Sequence, residues 1–481
     1  MTRKSQMEAL FHPDSIAVVG SMDPENHMNI AHQYVRALVD FGYEGQLYPI
    51  NPHGGEICGL NIYPSILDVP GPVDFVICCV AASSTPTFVE ECVTKGVKAM
   101  FFFTAGFSET GEDDGARWEH EILEIARRGD LRIIGPNCMG VYCPESRITF
   151  GPDFPKDSGS VGFLCQSGGN TFYVIRAAAA RGIRFSQAIS YGNASDINEC
   201  DLLEHFAKND NTSVIIAYIE GVKQGQRFLR VVKEAANKKP VIILKAGKSE
   251  AGGRTAASHT AALAGTSAPW DSLFKQTGAI SVSSLEELID VTLPFIFFPA
   301  PQGRRVGIVG VGGGASVLAA DACESAGLTV PPFPTEISNE LKRLIPVRGN
   351  IFTNPIDSQQ LWFGAEEYAD VLKIVSTWHD IDFLLCHLML CGGQYHFEYP
   401  KSPLDSMLEL YLETSREISK PMAVVLHSAD GVPACSPFFF KAQQKCIEAD
   451  LPTYPSFFRA ANAINKFFLY YEGLNENGTT H

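Results

Sequence analysis

At 481 residues the chain is too long for one hydrophobic core, and about 150 residues per domain suggests three. Its composition, 45% hydrophobic and 19% charged with 42 Gly and 29 Pro, is that of a globular α/β protein with many tight turns and excludes a disordered chain. A net charge of −16 excludes a general nucleic-acid-binding surface, which needs clustered Lys and Arg, so any bound phosphate is expected at local backbone amides and a few basic side chains.

The start, Met1 to Pro13, has no long apolar run and no secretory cleavage pattern, and the later run Phe295-Ile296-Phe297-Phe298 between Pro294 and Pro299 is far too short to span a bilayer. A cytoplasmic protein without membrane contact is expected. The 13 Cys are singletons or the pair Cys78-Cys79, without CxxC sets or His/Cys spacing suited to zinc; they read as reduced structural thiols, and no metal site is expected.

In chain order, Ser15-Ile16-Ala17-Val18-Val19-Gly20 predicts a strand ending in a turn, followed by a helix through Leu38 and Phe41. There is no GxGxxG, so ordinary dinucleotide binding is not supported. Further strands are predicted at 46–50, 73–80, 97–103 and 131–134, as unbroken apolar runs of a parallel sheet covered on both faces. Ligands bind such sheets at the carboxyl ends of the strands, here Gly20-Ser21, Val80-Ala81-Ala82, Thr104-Ala105-Gly106-Phe107 and Gly135-Pro136-Asn137-Cys138. Any one of these is merely a tight turn; four on one rim point to a site.

A second unit restarts at Gly159, where a strand runs into Gln166-Ser167-Gly168-Gly169 and opens a helix through Arg181. The free amides and the positive dipole end at Ser167, Gly168 and Gly169 make an anion site that needs no basic side chain. Strand 214–219 ends in Glu220-Gly221, which places a carboxylate on the same rim, as a surface residue or as the partner of an imidazole. After a helix from Arg227 to Ala236 and a strand at 241–245 comes Gly252 to Gly265, small at almost every position except Arg254 and His259; it reads as a loop offering one histidine as a nucleophile. Thr266 or Ser267 then caps a short helix stopped by Gly278.

A third unit follows the linker Pro299-Ala300-Pro301-Gln302-Gly303. Its strand 305–310, Gly turn and helix to Ala326 repeat the pattern, with strands at 382–386 and 422–426 and helices around 402–415 and 437–449. The tail after Gly473 is polar and reads as loose.

Together and in order, Gln166-Ser167-Gly168-Gly169, Tyr218-Ile219-Glu220-Gly221 and Ser258-His259-Thr260-Ala261-Ala262-Leu263-Ala264-Gly265 resemble the α subunits of the ADP-forming acyl-CoA synthetases, the acetate–CoA ligases related to succinyl-CoA synthetase. Tyr48-Pro49-Ile50-Asn51-Pro52, Gly135-Pro136-Asn137-Cys138 and Asn354-Pro355-Ile356-Asp357 extend the likeness over nearly the whole chain. It implies a Rossmann-like CoA-binding domain (1–140), a flavodoxin-like domain with a phosphohistidine loop (141–300) and a second flavodoxin-like ligase–CoA domain (301–481), each doubly wound.

By this resemblance a small carboxylic acid is activated as an acyl phosphate, CoA displaces the phosphate, and His259 carries the phosphoryl group. Glu220 would hold the imidazole, and the amides of Ser167, Gly168 and Gly169 would receive phosphate. CoA would bind at Gly20, Ser21, Val80, Ala81, Ala105, Gly106 and Asn137. No ATP-grasp unit is recognised, so ATP or ADP and Mg2+ are expected on a separate ATP-grasp β subunit in a hetero-oligomer. The sequence departs from the family's pattern at His27 and Asn29, where a Lys and a Gly are usual, and at Asn170 to Phe172, where smaller apolar residues are usual. Phe107, Phe172 and Tyr191 suit either a large acyl pocket or the core. A CoA-sensing module without chemistry and a phosphate-dependent acyl or carbamoyl transferase are the alternative readings.

Overall fold

The computed structural model describes residues 6–23, 26, 29–260, 267–310, 312–347, 349–358, 365–389, 403–427 and 436–476. By contacts the chain forms two compact units, one of Met1–Ala179 with Ile183–Leu288 and one of Ala180–Gly182 with Ile289–His481.

The first unit holds two large sheets and an antiparallel pair, Gly55–Ile57 with Leu60–Ile62. One has five parallel strands in the spatial order Gln46–Ile50, Ser15–Val19, Phe75–Cys78, Ala99–Phe102 and Arg132–Ile134. The strands expected at 73–80 and 97–103 are thus shorter at both ends. The other sheet runs Ile280–Val282, Val241–Lys245, Val214–Ile219, Val161–Cys165, Phe185–Ser190 and Gly140–Tyr142, parallel except for the last. Val161–Cys165 and Phe185–Ser190 are buried at every position, as apolar runs covered on both faces require. The helix after Cys165 covers Gly168–Ala179 and stops short of Arg181, because Gly182 takes φ +84°.

Two carboxylates lock these sheets rim to rim. Glu119, buried on helix Asp113–Arg128, accepts from the Ser108 amide at 3.1 Å and hydroxyl at 2.7 Å, from Asn193 Nδ2 at 3.1 Å and from the Ser195 hydroxyl. Glu109 accepts from the amides of Gly106 at 2.6 Å and Phe107 at 3.2 Å, and from the same Asn193 Nδ2 at 2.6 Å. Asp196 adds a third tie, accepting from Arg132 Nε and the Ile133 amide, both at 2.8 Å.

The stretch read as a histidine loop is helical over Glu250–Thr260. Ser249 caps it, its hydroxyl accepting from the Gly252 amide at 3.0 Å, and Arg254 pairs with Glu250 at 3.0 Å one turn apart. Small residues permit a loop, but Ala is also the strongest helix former, and the cap decides the local outcome. Residues 261–266, including Thr266, lie outside the described residues, and helix Ser267–Thr277 ends at Gly278 with φ +73°.

The second unit is built on a third sheet, Ile351–Phe352, Ile356–Asp357, Val306–Gly310, Phe383–Met389, Met422–His427 and Thr453–Tyr454, with only the first pair antiparallel. Asn354 ties it together, its oxygen accepting from the Ile308 amide at 2.9 Å and its nitrogen donating to the Val306 carbonyl at 2.7 Å. Of the tail read as loose after Gly473, the described residues Leu474–Glu476 continue the helix Phe457–Glu476, because Phe467, Phe468, Tyr470 and Leu474 are buried along it and outweigh the cost of an interior glycine; residues 477–481 lie outside the described residues. Among the described residues no helix is long and apolar enough to cross a membrane.

Replacing Glu119 by Ala removes the shared acceptor of Ser108, Asn193 and Ser195 at once, so Glu119→Ala is expected to lower stability by about 2–4 kcal/mol, read from the urea midpoint. A second test concerns Glu199, where burial pushes the carboxyl up from its ordinary 4.5 to about 7 against the pull of its own amide and of Lys223. The native state keeps that proton to higher pH than the unfolded chain, so stability falls as pH rises across that window. Glu199→Gln should flatten this slope and melt above the wild type at pH 8 (~1 unit past the window) but not at acidic pH.

Candidate active site

The carboxyl rims of the first unit's two large sheets meet around a cleft of about 490 Å3. On the second sheet's side the strand Val161–Cys165 hands over to Ser167, Gly168 and Gly169, all of which line the cleft. The Ser167 hydroxyl accepts from the Asn170 amide at 3.3 Å and its carbonyl from the Thr171 amide at 3.0 Å, which closes the first turn. The amides of Gly168 and Gly169 precede the first intrahelical donor, the Thr171 amide, and carry the positive end of the helix dipole. A Cβ on Gly169 would meet nothing within 4 Å, whereas one on Gly168 would lie 2.8 Å from Met139 Cγ. The cradle is therefore open at Gly169 and walled by Met139 at Gly168.

Glu220 stands at the end of the neighbouring strand, Val214–Ile219, and also lines the cleft. Its peptide is clamped on both sides. Gln166 Oε1 accepts from the amides of Glu220 and, at 3.0 Å, of Gly221, while Lys245 Nζ donates to the Glu220 carbonyl at 2.8 Å. The carboxylate Oε1 accepts from the Tyr218 hydroxyl at 3.2 Å. Burial lowers the Lys245 ammonium, and the nearby Glu220 charge pulls the other way.

Helix Glu250–Thr260 reaches the same cleft through Thr255, and His259 follows one helical turn later; its side chain lies outside the described residues. Two cysteines stand at the cleft wall, Cys138 within the lining and Cys165 before Gln166, and burial pushes both thiols up to about 12, so neither supplies a thiolate at neutral pH. Among the described residues no group of three His, Cys, Asp or Glu side chains is placed to hold a metal.

The residues expected to bind CoA are less tightly gathered. Asn137 lines the cleft, with its amide bonded to the Thr104 carbonyl at 3.1 Å. Gly20, Ser21, Val80, Ala81, Ala105 and Gly106 lie along the first sheet's rim outside the cleft lining. Gly20 has φ +153°, and a Cβ there would stand 2.8 Å from Ala31 Cβ and 3.0 Å from Cys79 Cβ, so only glycine fits. Gly106 is linked to the cleft through Glu109 and Asn193. His27, where the turn departs from the family's pattern, lies outside the described residues.

Two aromatic residues weighed for an acyl pocket belong to the core, since Phe107 and Tyr191 are fully buried. Phe172 packs on Phe154 and under the Arg176 guanidinium, 4.0 Å from its ring centre. The cleft wall instead takes Phe103, Met139 and Tyr218. Sequence reasoning also passed over Gln166 and Asn193. Gln166 sits inside the Gln-Ser-Gly-Gly motif, which was the available signal; Asn193 had none, because its partners are more than 70 residues away.

A CoA binding domain family matches residues 14–144, and a succinyl-CoA ligase like flavodoxin domain family matches residues 158–294. The acetate–CoA ligase [ADP-forming] I subunit alpha of Pyrococcus furiosus is 33% identical over 470 residues, 96% of this chain and 97% of that one. The acetate–CoA ligase [ADP-forming] I of Archaeoglobus fulgidus is 38% identical over 381 residues, 79% of this chain, and the match spans 54% of that longer protein. Among solved structures, the apo form of the dinucleotide forming acetyl-coenzyme A synthetase 1 of Ca. Korarchaeum cryptofilum superposes with a TM-score of 0.82 at 30% identity, covering 99% of this chain and 100% of that one. With one-third identity sustained along nearly the full length of a named α subunit, the chain belongs to the α subunits of the ADP-forming acyl-CoA synthetases, a family of acid–thiol ligases.

Proposed function

We propose that this chain supplies the CoA- and acyl-binding half of an ADP-forming acyl-CoA synthetase and carries the phosphoryl group on His259. The observation that carries the reading is the cleft itself, where the Ser167–Gly169 cradle, Glu220 and the helix bearing His259 converge. Run towards acyl phosphate, CoA leaves acyl-CoA as phosphate attacks the thioester carbon. The imidazole then attacks phosphorus, so that a P–N bond forms, the P–O bond to the acyl group breaks, and the carboxylate leaves.

The backbone amides at Ser167 to Gly169 would stabilise phosphate charge without a mobile cation, and Glu220 would orient the ring and balance the positive charge it gains. CoA would lie along Gly20, Ser21, Val80, Ala81, Ala105, Gly106 and Asn137. ADP, ATP and Mg2+ would be held by a separate ATP-grasp β subunit, a division that the α-subunit designation of the Pyrococcus relative supports. The acid would be a small carboxylic acid, acetate being the one named in the Pyrococcus and Archaeoglobus relatives, and the setting would be cytoplasmic.

The deciding experiment incubates the full chain with acetyl-CoA and radiolabelled phosphate. Acid-labile, base-stable label is expected on the wild type, none on His259→Ala, and about 10- to 100-fold slower labelling on Glu220→Gln. Absence of label on the wild type with CoA still bound would overturn the relay and favour a CoA sensor. Placement of CoA is tested separately by titration calorimetry. Ser21 is exposed, so Ser21→Glu leaves the fold intact, and the charge it adds beside the CoA phosphates should weaken binding by about tenfold.

A further inference from the structure

Glu220 is the acidic group of the cleft lining, and a carboxylate that must orient an imidazole needs a fixed direction of its own. Its backbone is clamped by Gln166 and Lys245, but a clamped peptide leaves the side-chain torsions free. A donor that meets the carboxylate is Tyr218. On the strand Val214–Ile219, two residues before Glu220, it projects from the same face, and its hydroxyl reaches Glu220 Oε1 at 3.2 Å.

The direction of this bond is forced: a carboxylate only accepts, so the phenol must donate to Glu220. Burial first, and the Glu220 charge second, push the Tyr218 phenol above its ordinary range, so it remains a donor throughout the working pH range.

We infer that Tyr218 is a positioning residue that aims the Glu220 carboxylate across the cleft from the phosphate cradle and does not itself touch the reacting group. The inference rests on the proposed role of Glu220, and the test separates the two.

The full chain is labelled with radiolabelled phosphate and acetyl-CoA across a pH series, as wild type, Tyr218→Phe, Glu220→Gln and the double variant, with CoA affinity measured on each. Tyr218→Phe removes one oxygen and keeps the ring, so CoA affinity should be unchanged. Its labelling rate should fall about tenfold, the scale of one hydrogen bond to a charged group. The acid limb of its profile should move to higher pH, because a carboxylate that loses a donor is harder to ionise. In the Glu220→Gln background the same change should cost nothing further. Wild-type labelling by Tyr218→Phe, or an equal loss in both backgrounds, would overturn the inference while leaving Glu220 in place. Wild-type labelling by Glu220→Gln would instead remove the role of Glu220, and the inference with it.

Discussion

A single side-chain amide holds the site together. Asn193 Nδ2 donates to Glu109 and to Glu119, two carboxylates that would repel each other without a shared donor, and through them the first sheet's rim is fixed to the second's. Glu109 carries that constraint to the Gly106 turn, and Glu119 carries it to Ser108 and Ser195. Asn193 also lines the cleft, so the element that joins the rims is part of the wall it creates. Charged acceptors make these bonds stronger than neutral ones, which suits a joint that holds two sheets of one unit rim to rim.

The electrostatics of the cleft follow from what is kept out of it. In a chain with a net charge of −16, an anion site made of basic side chains would compete with many acidic neighbours; one made of backbone amides at a helix start is fixed in place and cannot be drawn away. Lys245 approaches the site but spends its ammonium on the carbonyls of Glu220 and Ala246, supporting the backbone and leaving the cleft wall to amides and a carboxylate. The thiols of Cys138 and Cys165 stay neutral through burial and leave no competing nucleophile at the wall.

Much of this was legible in the sequence, for a physical reason. Strands buried on both faces and glycines at strand ends leave local patterns, so the parallel sheets, the Gly20 turn and the Ser167–Gly169 helix start could be read directly. What was not legible depends on partners distant in sequence. The Asn193 joint, the two-amide clamp of Gln166 and the burial of Phe107 and Tyr191 exist only once separate strands are in register. The stretch around His259 failed differently. Gly252, Gly253 and a run of small residues suit a loop, and a single cap at Ser249 with one turn-spaced ion pair tips it to helix over Glu250–Thr260. At Gly473 the buried aromatic residues nearby outweighed a local helix-breaking signal.

The way the three large sheets end bears on how the chain behaves at high concentration. An exposed strand edge is a template for another chain, and long edges invite aggregation. Among the described residues, five of the six edges of these large sheets are strands of three residues or fewer: Arg132–Ile134, Ile280–Val282, Gly140–Tyr142, Ile351–Phe352 and Thr453–Tyr454. The sixth, Gln46–Ile50, is five residues long, but Tyr63 occupies its outer side, donating to the Pro49 carbonyl at 2.9 Å and accepting from the Asn51 amide at 3.0 Å. Among the described residues the three large sheets thus offer almost no free ladder for another chain to extend.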